Sequence, residues 1–272
     1  KAIMINKNQL IEYFYQGTKS KNKIKIGVEH EKFILNKDTL LPVSYDEKNG
    51  IKNILEKLTL TGWKPLYDDN QQTIIALKKG KEAITLEPGG QIELSGAPLD
   101  NIHETCEETT NHLKELKKLG NELNFILLGM GVEPNLGLDD FPWMPKQRYG
   151  IMKKYMKKVG TLGHHMMKRT CTNQVNIDYS SEEDMVEKFR IMLNLEAIAT
   201  AIFSNSPFDQ GKISKYKSLR SHFWHNTDAD RTGLLPFVFE KDFSFENYAN
   251  YALNVPMYFI NRDNKYIDMT QY

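Results

Sequence analysis

Gly27-Val28-Glu29-His30-Glu31-Lys32-Phe33 decides how this chain is read, because an extended strand puts Gly27, Glu29, Glu31 and Phe33 on one face. Same-face side chains stand ~6.8 Å apart along a strand. At that spacing two carboxylates lean onto one hard divalent ion, or bracket two ions about 3.5–4 Å apart, as in phosphoryl chemistry. Alone, the stretch reads more simply as a solvated strand face. A second acidic stretch downstream shifts the balance.

That stretch is Thr85-Leu86-Glu87-Pro88-Gly89-Gly90-Gln91-Ile92-Glu93-Leu94-Ser95. Alternation sets Thr85 and Glu87 opposite Ile84 and Leu86, and sets Gln91, Glu93 and Ser95 opposite Ile92 and Leu94. The double glycine marks a bulge, a close backbone approach, or a plain turn. A third polar strand spans Met166 to Asp178, with Thr170, Thr172, Gln174 and Asn176 on one face and Cys171, Val175 and Ile177 on the other. Neutral hydrogen-bonding side chains in a row suit a polar ligand or plain solvent equally.

Composition bounds the function. A chain of 272 residues with 40% hydrophobic content buries a sizeable core. With 36 basic and 35 acidic residues the net charge is +1, so no field draws nucleic acid or an anionic membrane. The longest apolar runs, Phe125 to Val132 and Ala197 to Phe203, fall short of the ~20 residues of a membrane span, which predicts a soluble protein. No leader is readable before Asn8, which predicts a targeting segment trimmed or never present. Two cysteines, Cys106 and Cys171, make no disulfide framework and carry no metal spacing, which predicts a reducing compartment.

Patterning predicts a short helix from Asn8 to Tyr15 capped by Asn8, the acidic strand from Lys23 to Leu35, and a helix from Ile51 to Leu58. A strand at Trp63 to Tyr67 follows, and Thr73–Lys78 pairs with Glu82–Pro88 across Lys79-Gly80-Lys81. The stripe Ile102, Cys106, Leu113, Leu116, Leu119 and Leu123 predicts a helix with Pro98 as its first residue and Cys106 in the core. Phe125 to Val132 reads as a buried strand, followed by a Pro-rich loop from Pro134 to Pro145. Ser180 and Ser181 open a helix to about Asn205, whose stripe of Met185, Phe189 and Leu193 reads as core. Phe208 to Pro236 lacks periodicity yet holds Arg220, His222, Trp224, His225, Asp228, Asp230 and Arg231, and loops of that length are usually functional. A Ser244-capped helix and two strands around Asp263-Asn264 complete the chain. The run Asp228 to Gly233 is no calcium loop, since Phe239 stands where its glutamate belongs. Walker, dinucleotide, zinc-helix and nucleophile-elbow motifs do not occur.

Gly27–Phe33, Leu86–Leu99, Val159–Gly163, Arg169–Thr172, Gln174–Asn176, Ser204–Phe208, Leu219–His222 and Asp230–Gly233 together resemble the plant and proteobacterial type of glutamate–cysteine ligase, over nearly the whole chain. The resemblance implies an α+β fold, a curved and mainly antiparallel sheet with helices on its outer side, related to the glutamine synthetase catalytic fold. It implies one catalytic domain over residues 1–272, lacking the family's C-terminal portion. It implies a ligase of glutathione biosynthesis, with glutamate, cysteine and ATP as substrates and magnesium (Mg2+) as cofactor. ATP would phosphorylate the glutamate γ-carboxylate and the cysteine amine would displace phosphate. The alternatives are another carboxylate–amine ligase of this fold, or an inactive truncated relative that only binds substrate.

By the same resemblance Glu29, Glu31, Glu87 and Glu93 fall on the magnesium acids, with Glu29 and Glu31 also acting in catalysis. Gln174 falls beside the nucleotide, flanked by Thr172 and Asn176. Arg220 falls where an arginine holds the glutamate α-carboxylate and serves catalysis, and Arg148, Trp224 and Tyr258 fall at neighbouring pocket positions. Plant members carry a cysteine where Met269 stands here, and Cys106 matches a second plant redox cysteine whose partner would lie past Tyr272. The implied protein is a monomer or homodimer that binds neither nucleic acid nor membrane, in a bacterial cytoplasm or, from a plant-like source, a plastid.

Overall fold

The computed structural model describes residues 6–68, 72–263 and 265–271. In chain order the elements are α1 (Lys7–Gln16), β1 (Ile26–Asn36), α2 (Ile51–Thr59), β2 (Lys64–Tyr67), β3 (Ile74–Lys79), β4 (Glu82–Leu86), β5 (Ile92–Ser95), α3 (Ile102–Leu123) and β6 (Phe125–Leu128). There follow α4 (Gln147–Val159), α5 (Gly163–Arg169), β7 (Asn173–Ile177), α6 (Glu182–Phe203), β8 (Phe208–Asp209), β9 (Lys212–Ile213), α7 (Leu219–His225), α8 (Phe245–Asn254), β10 (Phe259–Arg262) and β11 (Lys265–Asp268).

The fold is α+β, as read from sequence. β1 is the hub of a sheet ordered β2-β3-β4-β5-β1-β6, with β7 paired to the first half of β1 and β6 to its second half, all antiparallel. Ile34, Ile84, Leu86, Ile92 and Leu94 form one face and pack beneath α2 and α3. On α2 the residues Ile51, Ile54, Leu55 and Leu58 are at most 1% exposed. Each such burial is worth ~1.5–3 kcal/mol, which outweighs the few tenths of a kcal/mol, on the order of 0.3, lost because Gly50 offers no side-chain cap. On the other face of β1, Phe33 and Leu35 pack with Phe141 and Cys171, leaving Glu29 and Glu31 at the uncovered end.

Several expectations are corrected. The α1 cap is Asn6, which completes a capping box with Gln9, rather than Asn8. β1 begins at Ile26, since Lys21–Lys23 form a 3₁₀ turn. Thr85 to Ser95 is two paired strands joined by a turn at Glu87–Gln91, so the glycines mark a turn, and at Gly89 also a close backbone approach, rather than a bulge. α3 begins at Ile102, capped by Asn101, rather than at Pro98. The buried stripe of α3 runs through Thr105, His112, Leu116, Leu119 and Leu123, so Ile102 is 67% exposed and Cys106 is exposed. Met166 to Arg169 close the helix α5 rather than opening a strand, with Thr170 Oγ1 donating to the Met166 carbonyl. The long helix α6 buries no residue, so Met185, Phe189 and Leu193 are not core. Asn264, half of the last expected turn, lies outside the described residues.

Candidate active site

The acids meet where β1, β4 and β5 lie side by side. Glu31 is the direct cross-strand partner of Glu93, and Glu93 is the partner of Thr85, two residues before Glu87. Glu29 faces Ser95 on one side and Gln174 on the other. Cross-strand partners hold their Cβ atoms about 4.5–5.5 Å apart, so the register places carboxylates against one another.

Electrostatics report the crowding. Burial, then the charges of Glu87 and Glu93, push the Glu31 carboxyl up to about 8. Burial and the Glu93 charge also raise Glu87, which shares a hydrogen bond with Glu93. Carboxyls raised in this way bind their protons more tightly than free ones when no cation is near, and a divalent ion of hard character would compete with those protons. The donor set therefore fits Mg2+ chemistry. As they stand, no three Asp, Glu, His or Cys side chains among the described residues converge to ligating distance. Other bonds hold the carboxylates: Thr172 N donates to Glu31 Oε2 at 2.8 Å, Ser95 Oγ to Glu93 Oε1 at 2.5 Å, and Asn176 Nδ2 to Glu29 Oε1 at 2.9 Å.

The Glu87–Gln91 turn is clamped from below. A Cβ on Gly89 would stand 2.4 Å from the Lys168 carbonyl, so only glycine lets α5 lie on this turn. Gln91, 1% exposed, accepts from Gly89 N at 3.0 Å and donates to the Thr170 carbonyl at 2.8 Å. Lys146 Nζ and Tyr149 Oη both donate to the Leu86 carbonyl, at 2.7 and 2.6 Å. Burial and the Arg148 charge bring Lys146 down to about 8. Sequence reasoning missed Lys146, Tyr149 and Gln91; the first two flank Arg148 in the run that opens α4.

Two arginines complete the site. Arg220, on α7, lies within the field of Glu31, and burial lowers its pKa. Its guanidinium lies 5.5 Å from the Trp224 ring. Arg148, in the first turn of α4, lies within the field of Glu87 and over Tyr149 at 5.3 Å. Arg220 Nε, Arg148 Nε and Trp224 Nε1 are buried donors with no hydrogen-bond partner among the described residues. Unsatisfied buried donors are costly, and the two on arginines within the field of the acids point to a ligand rich in acceptors.

The remaining expected residues sit at the margins. Thr172 acts through its backbone N–H on Glu31. On the exposed strand β7, Gln174 Nε2 donates to Asn176 Oδ1 at 3.1 Å, and Asn176 bonds Glu29 of β1. Tyr258 donates to buried Asp228 at 3.0 Å, beside Tyr155 of α4.

The sequence model named "Glutamate-cysteine ligase family 2 (GCS2)" matches residues 25–271. The chain belongs to this family. Its relatives include the chloroplastic glutamate–cysteine ligase A of Oryza sativa subsp. japonica, 52% identical over 266 residues, covering 98% of this chain and 53% of the relative. The chloroplastic glutamate–cysteine ligase of Arabidopsis thaliana is 52% identical over 270 residues, covering 98% of this chain and 50% of its own length. That of Medicago truncatula is 52% identical over 268 residues, with 98% and 52% coverage. The chain spans about half the length of the curated relatives it matches.

Proposed function

We propose that this chain carries the site of an ATP-dependent glutamate–cysteine ligase, the step that makes γ-glutamylcysteine in glutathione biosynthesis. The observation that carries the reading is the buried acid cluster Glu31, Glu87 and Glu93 flanked by Arg220 and Arg148, whose Nε atoms have no partner among the described residues. Mg2+ would be held by Glu31, Glu87 and Glu93, with Glu29 at the open edge, and would neutralise charge on the ATP phosphates.

In this reading Arg220 grips the glutamate α-carboxylate with its planar fork. Arg148 faces the anionic charge that builds during phosphoryl transfer to the γ-carboxylate. Gln174, Thr172 and Asn176 line the nucleotide side, and Trp224 and Tyr258 wall the amino-acid pocket. The cysteine amine then attacks the γ-glutamyl phosphate carbonyl, a C–N bond forms and phosphate leaves. No protein nucleophile is required, so positioning does most of the work. We read residues 1–272 as one catalytic domain. Bacterial cytoplasm and plastid both stay proposals for the compartment, and the chloroplastic names of the relatives support the second.

The test is ADP release with glutamate and cysteine together against each alone. Synergy with magnesium present supports the reading. Release that ignores cysteine but follows another amine moves the assignment to a different carboxylate–amine ligase.

A further inference from the structure

Behind the site, three side chains and one helix end are tied into a single knot. Asp228, 2% exposed, accepts at Oδ2 from Arg231 Nη1 at 2.7 Å and from Tyr258 Oη at 3.0 Å. The Arg231 guanidinium lies over the Tyr258 ring, 3.7 Å from its centroid, and 5.3 Å from the ring centroid of Tyr155. Tyr155 meets Tyr258 edge-on at 4.8 Å. The turn closes on itself, with Arg231 N and Thr232 N donating to the Asp228 carbonyl at 3.1 and 2.8 Å. It directly follows α7, the helix of Arg220 and Trp224.

We propose that Asp228 and Arg231 are positioning residues that fix the ring and hydroxyl of Tyr258, and through Tyr258 set the affinity for the acceptor amino acid. This inference rests on the ligase reading above. Three observations carry it. A ring packed only for stability does not need a buried carboxylate, since apolar neighbours would serve as well or better. The carboxylate also fixes the polarity of the hydroxyl: with its proton on Asp228, the Tyr258 oxygen has only lone pairs left to offer, which suits an N–H donor. Third, Tyr155 lies seven residues along α4 from Arg148, about 10 Å by helical rise. The knot thus stands at the end of α4 away from the acids. A substrate touching Tyr258 is the one farther from the phosphoryl site, the amine that attacks rather than the carboxylate that is phosphorylated.

The experiment compares Asp228→Asn, Arg231→Lys, Tyr258→Phe and the double variant Asp228→Asn/Tyr258→Phe. The KM for cysteine should rise about tenfold in each single variant, the scale of one hydrogen bond to a charged group, while the KM for glutamate and ATP stays within twofold. Asp228→Asn should add nothing in the Tyr258→Phe background. Should Asp228→Asn fail to fold, Arg231→Lys, which keeps the charge and loses the plane against the ring, carries the same decision. Equal rises for glutamate and cysteine, or losses that add in the double variant, overturn the proposal. A substrate-free measurement separates it from the ligase reading: with 13C-labelled tyrosine, cysteine should shift the Tyr258 ring signal in the native chain and fail to do so in Arg231→Lys. If the native chain shows no synergy of glutamate and cysteine in ADP release, the ligase reading falls, and the proposal still stands or falls on this signal. No cysteine-dependent shift in the native chain overturns it.

Discussion

Glu31 carries the clearest pH signature at the scale of single residues. Its folded carboxyl, held up at about 8, lies above the value of 4.5 for the free side chain, so the folded chain binds the extra proton between those limits. The stabilisation is complete below pH 4.5 and is lost as pH rises through about 8. Melting temperatures in chelator should therefore fall across that window, and Glu31→Gln should flatten the fall. The same proton competes with the cation, so magnesium-dependent ATP binding should strengthen up to about pH 8 and collapse in Glu31→Gln with the fold intact; unchanged nucleotide affinity in that variant returns Glu31 to a solvated-face role. Arg220→Lys keeps a charge but loses the fork, so glutamate binding should weaken by roughly 1.5–3 kcal/mol in a titration, with little change in melting temperature. The cysteines should behave oppositely. Cys171 is buried, its thiol pushed up by desolvation, and should label only on unfolding, whereas exposed Cys106 should label in the native state. The helical stripe predicts burial of Cys106, and the structure exposes it. The stripe of α3 is turned by part of the helix circumference, because Thr105 and His112 face inward.

Among elements, the acid turn between β4 and β5 shows how local chemistry and packing combine. Its glycines were legible, but the reason for Gly89 was not: the contact is with the backbone of α5, far away in sequence. Gly89→Ala should push α5 off the turn and lower both stability and magnesium-dependent nucleotide binding. Gln91→Leu removes the partners of Gly89 N and the Thr170 carbonyl, and each buried group left bare costs about 1–3 kcal/mol in denaturant melts. If Gln91→Leu melts like the parent chain, the turn is held by Lys146 and Tyr149 alone.

The whole molecule exposes what a stripe rule alone misjudges. On α6, whose stripe reads as core, the residues Ile191, Met192, Leu195, Ile198, Ile202 and Phe203 are 49 to 78% exposed. Contiguous apolar surface of this kind promotes association. Ile198→Lys and Ile202→Lys should change folding stability by no more than about 0.5 kcal/mol while reducing dye binding and light scattering at high protein concentration. The sequence by itself determined the mix of helices and antiparallel strands, the two acidic stretches and the arginine-bearing segment, because strand alternation and turn chemistry act over a few residues and are written locally; the α+β class followed from the family resemblance. Only the tertiary structure decided that Glu31 opposes Glu93, that Lys146, Tyr149 and Gln91 clamp the acid turn, and that Asp228 and Arg231 hold Tyr258. Those facts depend on register and on contacts between elements distant along the chain. A one-residue slip of β5 on β1 would turn the acid pairing to the opposite face without changing a single residue.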